Sequence, residues 1–201
     1  MTITEFRGIR GLVAAELTED TASTLTYGTP FPVAGVAELS KTVETSSDVH
    51  YYDNIAAVVI DAEGKDEVKC TTSVIDPEAL AKLTGQTYDT ATGTFVEGEA
   101  DFKYFALGYI TENTDGDEMY VWRHKVKCSI PDETHSTKNN GTDAKGQEIT
   151  FTGISTTHKF TKTGKTAKAI VHKKGTLITE ANFFATVQDI DKLTALVPTT
   201  P

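Results

Sequence analysis

The chain has 201 residues, a length that suits one ordinary domain with its own hydrophobic core. Hydrophobic residues make up 38% and charged residues 24% of it, which excludes a chain disordered by composition, and no apolar run approaches the roughly 20 residues that a membrane-spanning helix needs. The net charge is −10, but its distribution along the chain is more informative than its size.

The N-terminal part predicts strands. Short β-branched runs between turn signals, with little helical periodicity, indicate a sandwich or barrel of antiparallel strands. The first two predicted strands are GLVAAEL and TPFPVAGVAELSKTVE, with the turn TEDTAST between them. The polar stretch SSDVHYYDN predicts a long loop near residues 46–54, before the apolar run AAVVID.

The middle of the chain predicts one strand and one helix. In DEVKCTTSVI, apolar and polar residues alternate, which predicts a half-buried strand with Cys70 and Val74 on its inward face. In DPEALAKLTG, Asp76 is a typical N-cap, and Gly85 is typical of the position that ends a helix. We therefore expect the main helix over Pro77–Leu83. This is the one flanking helix of the predicted fold.

The second half again predicts strands. TYDTATGTFVEG suggests a hairpin, KYFALGYITE and EMYVWRHKVKCSI are strands joined by the turn NTDGD, and EITFTGISTTHKF alternates again. Near the end, Thr179 can cap a short helix. Neither terminus has an apolar pattern sufficient to pack alone, so we expect both ends to order mainly against neighbouring subunits.

The stretch YVWRHKVKCS contains the most reactive-looking side chains, and strand alternation explains their crowding. It puts Tyr120, Trp122, His124, Val126 and Cys128 on one face, and Val121, Arg123, Lys125 and Lys127 on the other. His124 and Cys128 are then roughly 13 Å apart, too far for a catalytic dyad or for two ligands of one zinc ion. The stretch therefore indicates core or interface packing.

Other motifs fail as chemical sites. TGKT at residues 163–166 lacks the earlier glycine of a phosphate loop, because Lys159 stands there. Asp115 and Asp117 lack the ordered ligand pattern of a calcium loop. The lysines between residues 159 and 174 have only Phe160 as an aromatic neighbour, which favours a solvated or partner-facing surface over nucleic-acid binding. We predict no catalytic residues, no cofactor and no metal.

The N-terminal sequence and the cysteines indicate the compartment in which the chain is made and the redox state of its thiols. MTITEFRGIRGL has no secretory signal, which predicts synthesis in a cytoplasm. Cys70 and Cys128 could pair in principle, but two cysteines in such a chain favour reduced thiols.

The order of these features matters more than any one of them. From GLVAAELTEDTASTLTYGTP through VHYYDN, DPEALAKLTGQTYDTATGTFVEG, YFALGYITENTDGDEMYVWRHKVKCSIPDETHSTK and GQEITFTG, the chain resembles the major tail proteins, or tail tube proteins, of long noncontractile-tailed phages of Gram-positive bacteria. The resemblance covers about residues 10–175 and rests on order and spacing.

The resemblance implies an all-β subunit with one flanking helix, an antiparallel β-sandwich or barrel of the phage tail tube type. It implies a tail tube domain over residues 1–175 and a C-terminal extension or arm over 176–201. Six copies would form a ring, and stacked rings would form the tube through which DNA passes without specific binding. It also implies a tape measure protein and a tail terminator as partners, a location in the virion tail, and no membrane.

Charge and aromatic residues suggest which residues make contacts between subunits. Residues 1–118 contain 22 acidic and seven basic side chains, and residues 119–201 contain seven acidic and twelve basic ones. One copy can therefore attract another, or the basic part can bind a polyanion. The contact candidates are Tyr51, Tyr52, Asp53, Arg123, Lys125, Lys127, Lys162 and Lys165. The alternative is a β-sandwich module that binds a glycan or receptor at a tail tip or cell surface, with Tyr51 and Tyr52 as its aromatic platform.

Overall fold

The computed structural model describes residues 3–137, 145–175 and 178–193. Strands hold 53% of the described residues and helices 8%, which confirms the predicted all-β class. The strands are β1 (Phe6–Asp20), β2 (Leu25–Tyr27), β3 (Phe31–Ala34), β4 (Val36–Tyr52), β5 (Ile55–Thr72), β6 (Thr87–Asp89), β7 (Thr94–Val96), β8 (Phe105–Asn113), β9 (Glu118–Cys128), β10 (Asp132–Glu133), β11 (Gln147–Gly153) and β12 (Ala169–Lys173). The helices are α1 (Pro77–Thr84) and α2 (Glu180–Ala185).

The main sheet is antiparallel and nearly closes on itself. Its strands follow the order β2-β1-β8-β9-β11-β5-β4. Strand β3 pairs with β1, β4 pairs with β5, and only Gly35 separates β3 from β4. The chain therefore passes from one edge of the sheet to the other within a single residue, which brings the two edges together around an interior. The sequence predicted one strand here, and the structure divides it at Gly35.

The interior is filled by large apolar side chains from the strands and by α1. Phe105, Leu107, Ile149 and Phe151 are almost fully buried there, and Leu83 of α1 joins them. The predicted helix is confirmed: Asp76 accepts a hydrogen bond from the Glu78 amide, and Gly85 ends the helix with a φ of 72°. The expected hairpin after it is the pair β6-β7.

A second apolar layer lies on the outer face of β1, β8 and β9, under α2. Phe183 and Val187 are buried against Tyr120 and Trp122, and the Trp122 indole Nε1 donates a 3.0 Å hydrogen bond to the Phe183 carbonyl oxygen. The predicted cap Thr179 begins α2. The expectation that the C-terminal end cannot pack alone is wrong for residues 178–193, because the spacing of Phe183 and Val187 buries both against the sheet. Residues 176–177 and 194–201 of the predicted extension lie outside the described residues.

Strand β9 changes face part-way along, so the predicted alternation holds for only half of it. Tyr120 and Trp122 lie in the outer layer, whereas Val126 and Cys128 lie in the interior. The cause is a β-bulge in the pairing with β8, where Ala106 of β8 lies opposite both His124 and Lys125 of β9. Buried layers on both sides of the strand explain why bulky residues crowd together in YVWRHKVKCS.

The predicted loop near residues 46–54 is wrong. Strand β4 continues to Tyr52, β5 begins at Ile55, and Asp53 and Asn54 alone form the turn. Their φ values are 52° and 63°, the left-handed conformation that a two-residue hairpin turn requires and that Asp and Asn tolerate. Val74 also differs from its predicted inward position: β5 ends at Thr72, and Val74 is 70% exposed.

Gly108 provides a test of the packing of the outer layer against the sheet. A Cβ atom at this position would lie 2.7 Å from Val13 Cγ2 and 2.8 Å from Trp122 Cζ3. We expect Gly108→Ala to lower the free energy of unfolding by about 1 to 3 kcal/mol, because the large ring has no room to move. Urea denaturation measures the change. Gly98→Ala is the control, since nothing lies within 4 Å of its Cβ position; equal losses in both variants would contradict this packing.

Candidate functional site

The most unusual part of the molecule is the outer half of the β4-β5 hairpin, residues 45–63, which we call the arm. The remainder of β5, from Asp66, is paired with β11, whereas residues 55–63 pair only with β4 in the described structure. At about 3.3 Å per residue, the arm extends roughly 25 to 30 Å. Every residue of the arm is exposed.

Both faces of the arm are apolar. Cross-strand partners share a face, so the register puts Val49, Tyr51 and Val59 on one face and Tyr52, Ile55, Val58 and Ile60 on the other. Tyr51, Tyr52 and Ile55 are 67%, 64% and 68% exposed. A hairpin with one solvated face would have polar residues there. This arm instead exposes large apolar side chains on both faces.

The charge of the arm is entirely acidic. Asp48, Asp53, Asp61 and Glu63 are its charged residues, and it contains no Lys or Arg. His50 Nε2 lies 3.4 Å from the Asp48 carboxylate. Any surface that covered the arm would have to accept apolar side chains flanked by carboxylates.

The base of the arm is fixed by a buried ionic network centred on Asp66. The Asp66 carboxylate lies 3.3 Å from an Arg123 guanidinium nitrogen, 2.9 Å from Lys168 Nζ and 3.7 Å from Lys41 Nζ. Arg123 also donates hydrogen bonds of 3.1 and 2.9 Å to the Tyr109 hydroxyl. Lys168 reaches Glu63 at 2.7 Å as well. The network ties β4 and β5 to β8 and β9, so the arm leaves the sheet in a defined direction.

The predicted contact residues separate into two groups. Tyr51, Tyr52 and Asp53 lie together at the tip of the arm and are exposed. Arg123 is buried inside the subunit, and Lys125 is paired with Asp20 at 2.7 Å. These two side chains therefore serve contacts within one subunit.

The other basic candidates lie at the surface. Lys127 is exposed, with its Nζ 5.6 Å from the centre of the Tyr104 ring. Lys165 is exposed in the turn after Phe160. Lys162 donates to the carbonyl oxygens of Ile190 and Leu193, so it fastens the C-terminal segment. The structure does not bring these lysines to the arm of the same chain, and their role in subunit contacts stays a prediction.

The thiols and the buried imidazole show no catalytic arrangement. Cys70 and Cys128 are free and buried, and burial raises the pKa of Cys70 to about 12 and that of Cys128 to about 11. The Cys128 thiol donates to the Leu83 carbonyl oxygen at 3.1 Å. Burial lowers the pKa of His124 to about 4. Neither a reactive thiolate nor a charged imidazole is therefore present at neutral pH.

The described residues contain neither a metal-ligating cluster nor a membrane-spanning helix. Within residues 3–137, 145–175 and 178–193, no group of three or more His, Cys, Asp or Glu side chains could hold a metal ion. Over the same residues, neither helix is long and apolar enough to span a membrane.

A scan against protein-family models finds no match for this sequence, and a search of curated proteins finds no significant relative. The structural evidence on function therefore comes from the arm and the residues at its base.

The ionic network around Asp66 is expected to contribute strongly to the free energy of unfolding. Replacing Asp66 with Asn leaves Arg123 and Lys168 without their buried counter-charge, so we expect a loss of about 3 to 5 kcal/mol in the free energy of unfolding. Denaturant titration followed by tryptophan fluorescence measures this loss. The control is Asp61→Asn on the exposed arm, for which we expect a change within about 0.5 kcal/mol. A loss in the Asp66 variant as small as in the control would contradict the network's role.

His124 is expected to make the fold less stable in mild acid. Its pKa is about 4 in the folded chain and 6.5 ordinarily, so the unfolded chain binds more protons between these values. Stability should therefore decrease as the pH falls from 6.5 towards 4, by about 2 to 3 kcal/mol between pH 6.5 and 4.5. Free energies of unfolding at these two pH values test this slope. His124→Gln should flatten it, whereas replacing the exposed His135 by Gln should not; equal slopes in both variants would refute the assignment.

Proposed function

We propose that this chain is a structural virion protein, which self-assembles into stacked hexameric rings to form the tail tube of a long noncontractile-tailed phage. The observation that supports it most directly is the arm, a long two-stranded extension with apolar side chains exposed on both faces. The family resemblance of the sequence points to the same role. In this role the tube conducts DNA during ejection.

The energetics of the arm favour self-assembly. An isolated two-stranded hairpin is marginally stable in water, so the arm gains stability when other surfaces cover it. Fully burying one Val or Ile side chain contributes about 1.5 to 3 kcal/mol, and the arm exposes Ile55, Val58, Val59 and Ile60. Repeated in every copy of a closed ring, these contacts can exceed the entropic cost of association.

The charge of the chain suits a DNA conduit. A net charge of −10 is consistent with a lumen that repels phosphates, so that DNA would pass without specific binding. Partners proposed on the family resemblance are further copies of the chain, a tape measure protein and a tail terminator. The protein would be made in the cytoplasm of the bacterial host and would end in the virion tail. The proposal includes no catalytic activity.

A glycan- or receptor-binding module receives less support from the same residues. Its expected platform needs Tyr51 and Tyr52 side by side on one face. These tyrosines are successive residues of β4, and they pair with Ala56 and Ile55, so they point to opposite faces of the arm. Two aromatic rings on opposite faces suit insertion between protein surfaces better than stacking on one sugar.

Replacing Tyr51 and Tyr52 together by Ala tests the proposal. Both side chains are exposed, so the monomer should keep its unfolding midpoint, while rings or tubes should form only at higher protein concentration. Sedimentation velocity and negative-stain electron microscopy over a concentration series measure this difference. The matched control replaces Val74 and Val96, which are 70% and 52% exposed elsewhere. Assembly at unchanged concentration and rate in the tyrosine variant would count against the arm as the assembly contact.

A further inference from the structure

An open cleft lies between β1 and β4, where the two sides of the main sheet do not pair with each other. Strand β3 pairs with residues 12–14 of β1, but beyond Gly35 the chain diverges from β1. Among the described residues, nothing pairs with residues 6–11 on the side away from β8, or with β4 on the side away from β5. The space between these two strand edges has a volume of about 850 Å³. We call it the edge cleft.

The edge cleft has apolar walls and a basic rim. Phe6 and Ile9 line it from β1, and Leu39 and Val43 line it from β4. Phe6 is 78% exposed, an unusual position for a large aromatic side chain in a monomer.

The cations of the cleft come from three different strands. Arg7 of β1 and Lys41 of β4 stand at its sides, and Arg123 of β9 lies at its floor beside Tyr109. Glu38 is the one acidic residue of the lining. Lys41 and Arg123 are already paired with Asp66, so Arg7 is the lining cation that has no ion pair among the described residues. Two unpaired strand edges, apolar walls and Arg7 together suit an extended, apolar and acidic segment.

We propose that the edge cleft of one copy receives the arm of a second copy. The arm has the required chemistry: both of its faces are apolar, and its four charged residues are all acidic. It also has an unpaired outer edge along residues 55–63, which can hydrogen-bond to an edge of the cleft. The inference rests on the proposed self-assembly and names the surface that accepts the arm.

The arm of the same chain cannot fill the cleft. The strand β4 that forms one wall, from Ala37 to Val43, continues directly into the arm, and its pairing with β5 continues to the turn. Folding the arm back would break this pairing. The contact is therefore between two copies. It is heterologous, because it joins two different surfaces, the arm of one copy and the cleft of the next. Such contacts repeat until a ring closes or a tube extends.

Pairs of single-cysteine variants test this contact. Phe6→Cys and Tyr52→Cys are made separately, mixed under conditions that promote self-association, and treated with a short bismaleimide. Both positions are exposed, so the folds should be unchanged, and the native Cys70 and Cys128 are buried and should react slowly. The control pair joins Tyr52→Cys with Val171→Cys, which is a similarly exposed apolar position on β12.

We expect several-fold more cross-linked dimer from the Phe6 pair than from the Val171 pair. We also expect Arg7→Glu to reduce the cross-link, and Asp61→Arg on the arm-bearing copy to restore part of it. Self-association with no preference for the Phe6 pair would overturn the edge cleft as the acceptor and leave the proposed function standing. Absence of self-association at any concentration would overturn both.

Discussion

The structure depends on one buried carboxylate. Asp66 lies at the point where β5 leaves the sheet, with cations from β4, β9 and the segment before β12 around it. A carboxylate without such partners would not be tolerated at this depth, and neither would the guanidinium of Arg123. Because the ions satisfy one another, the strands are held in place where the sheet opens, and the arm is fixed relative to the domain.

The arm and the edge cleft are two consequences of the same incomplete closure. At Gly35 the chain crosses from β3 to β4, and beyond this point β4 no longer follows β1. The divergence leaves unpaired edges on one side and sends a long hairpin outwards on the other. In a monomer, both features leave apolar surface exposed and backbone groups unpaired, which costs free energy. The proposed association of copies through these surfaces would offset that cost.

Local sequence signals predicted the fold better than the site. Asp76 and Gly85 fixed α1, and the alternation around Cys70 and Ile149 identified buried strands, because capping and period-two patterns are local. The arm was missed because Ser46, Ser47 and Asp48 lack the alternation of apolar and polar residues that indicates a strand. Arg123 looked like a surface cation because its partner Asp66 is distant in sequence. The sequence indicated Tyr51 and Tyr52 as contact candidates, which stays a prediction, and it did not indicate that they point to opposite faces.

Electron microscopy of the purified protein over rising concentration tests the central claim most directly. The account predicts hexameric rings, and at higher concentration stacks of rings with an open central channel, in which the density of each arm continues into a neighbouring copy. Salt should slow their formation without abolishing it, because exposed charge pairs are screened while the apolar contacts persist. A protein that stays monomeric at every concentration and ionic strength, with its arm in solvent, would contradict the account.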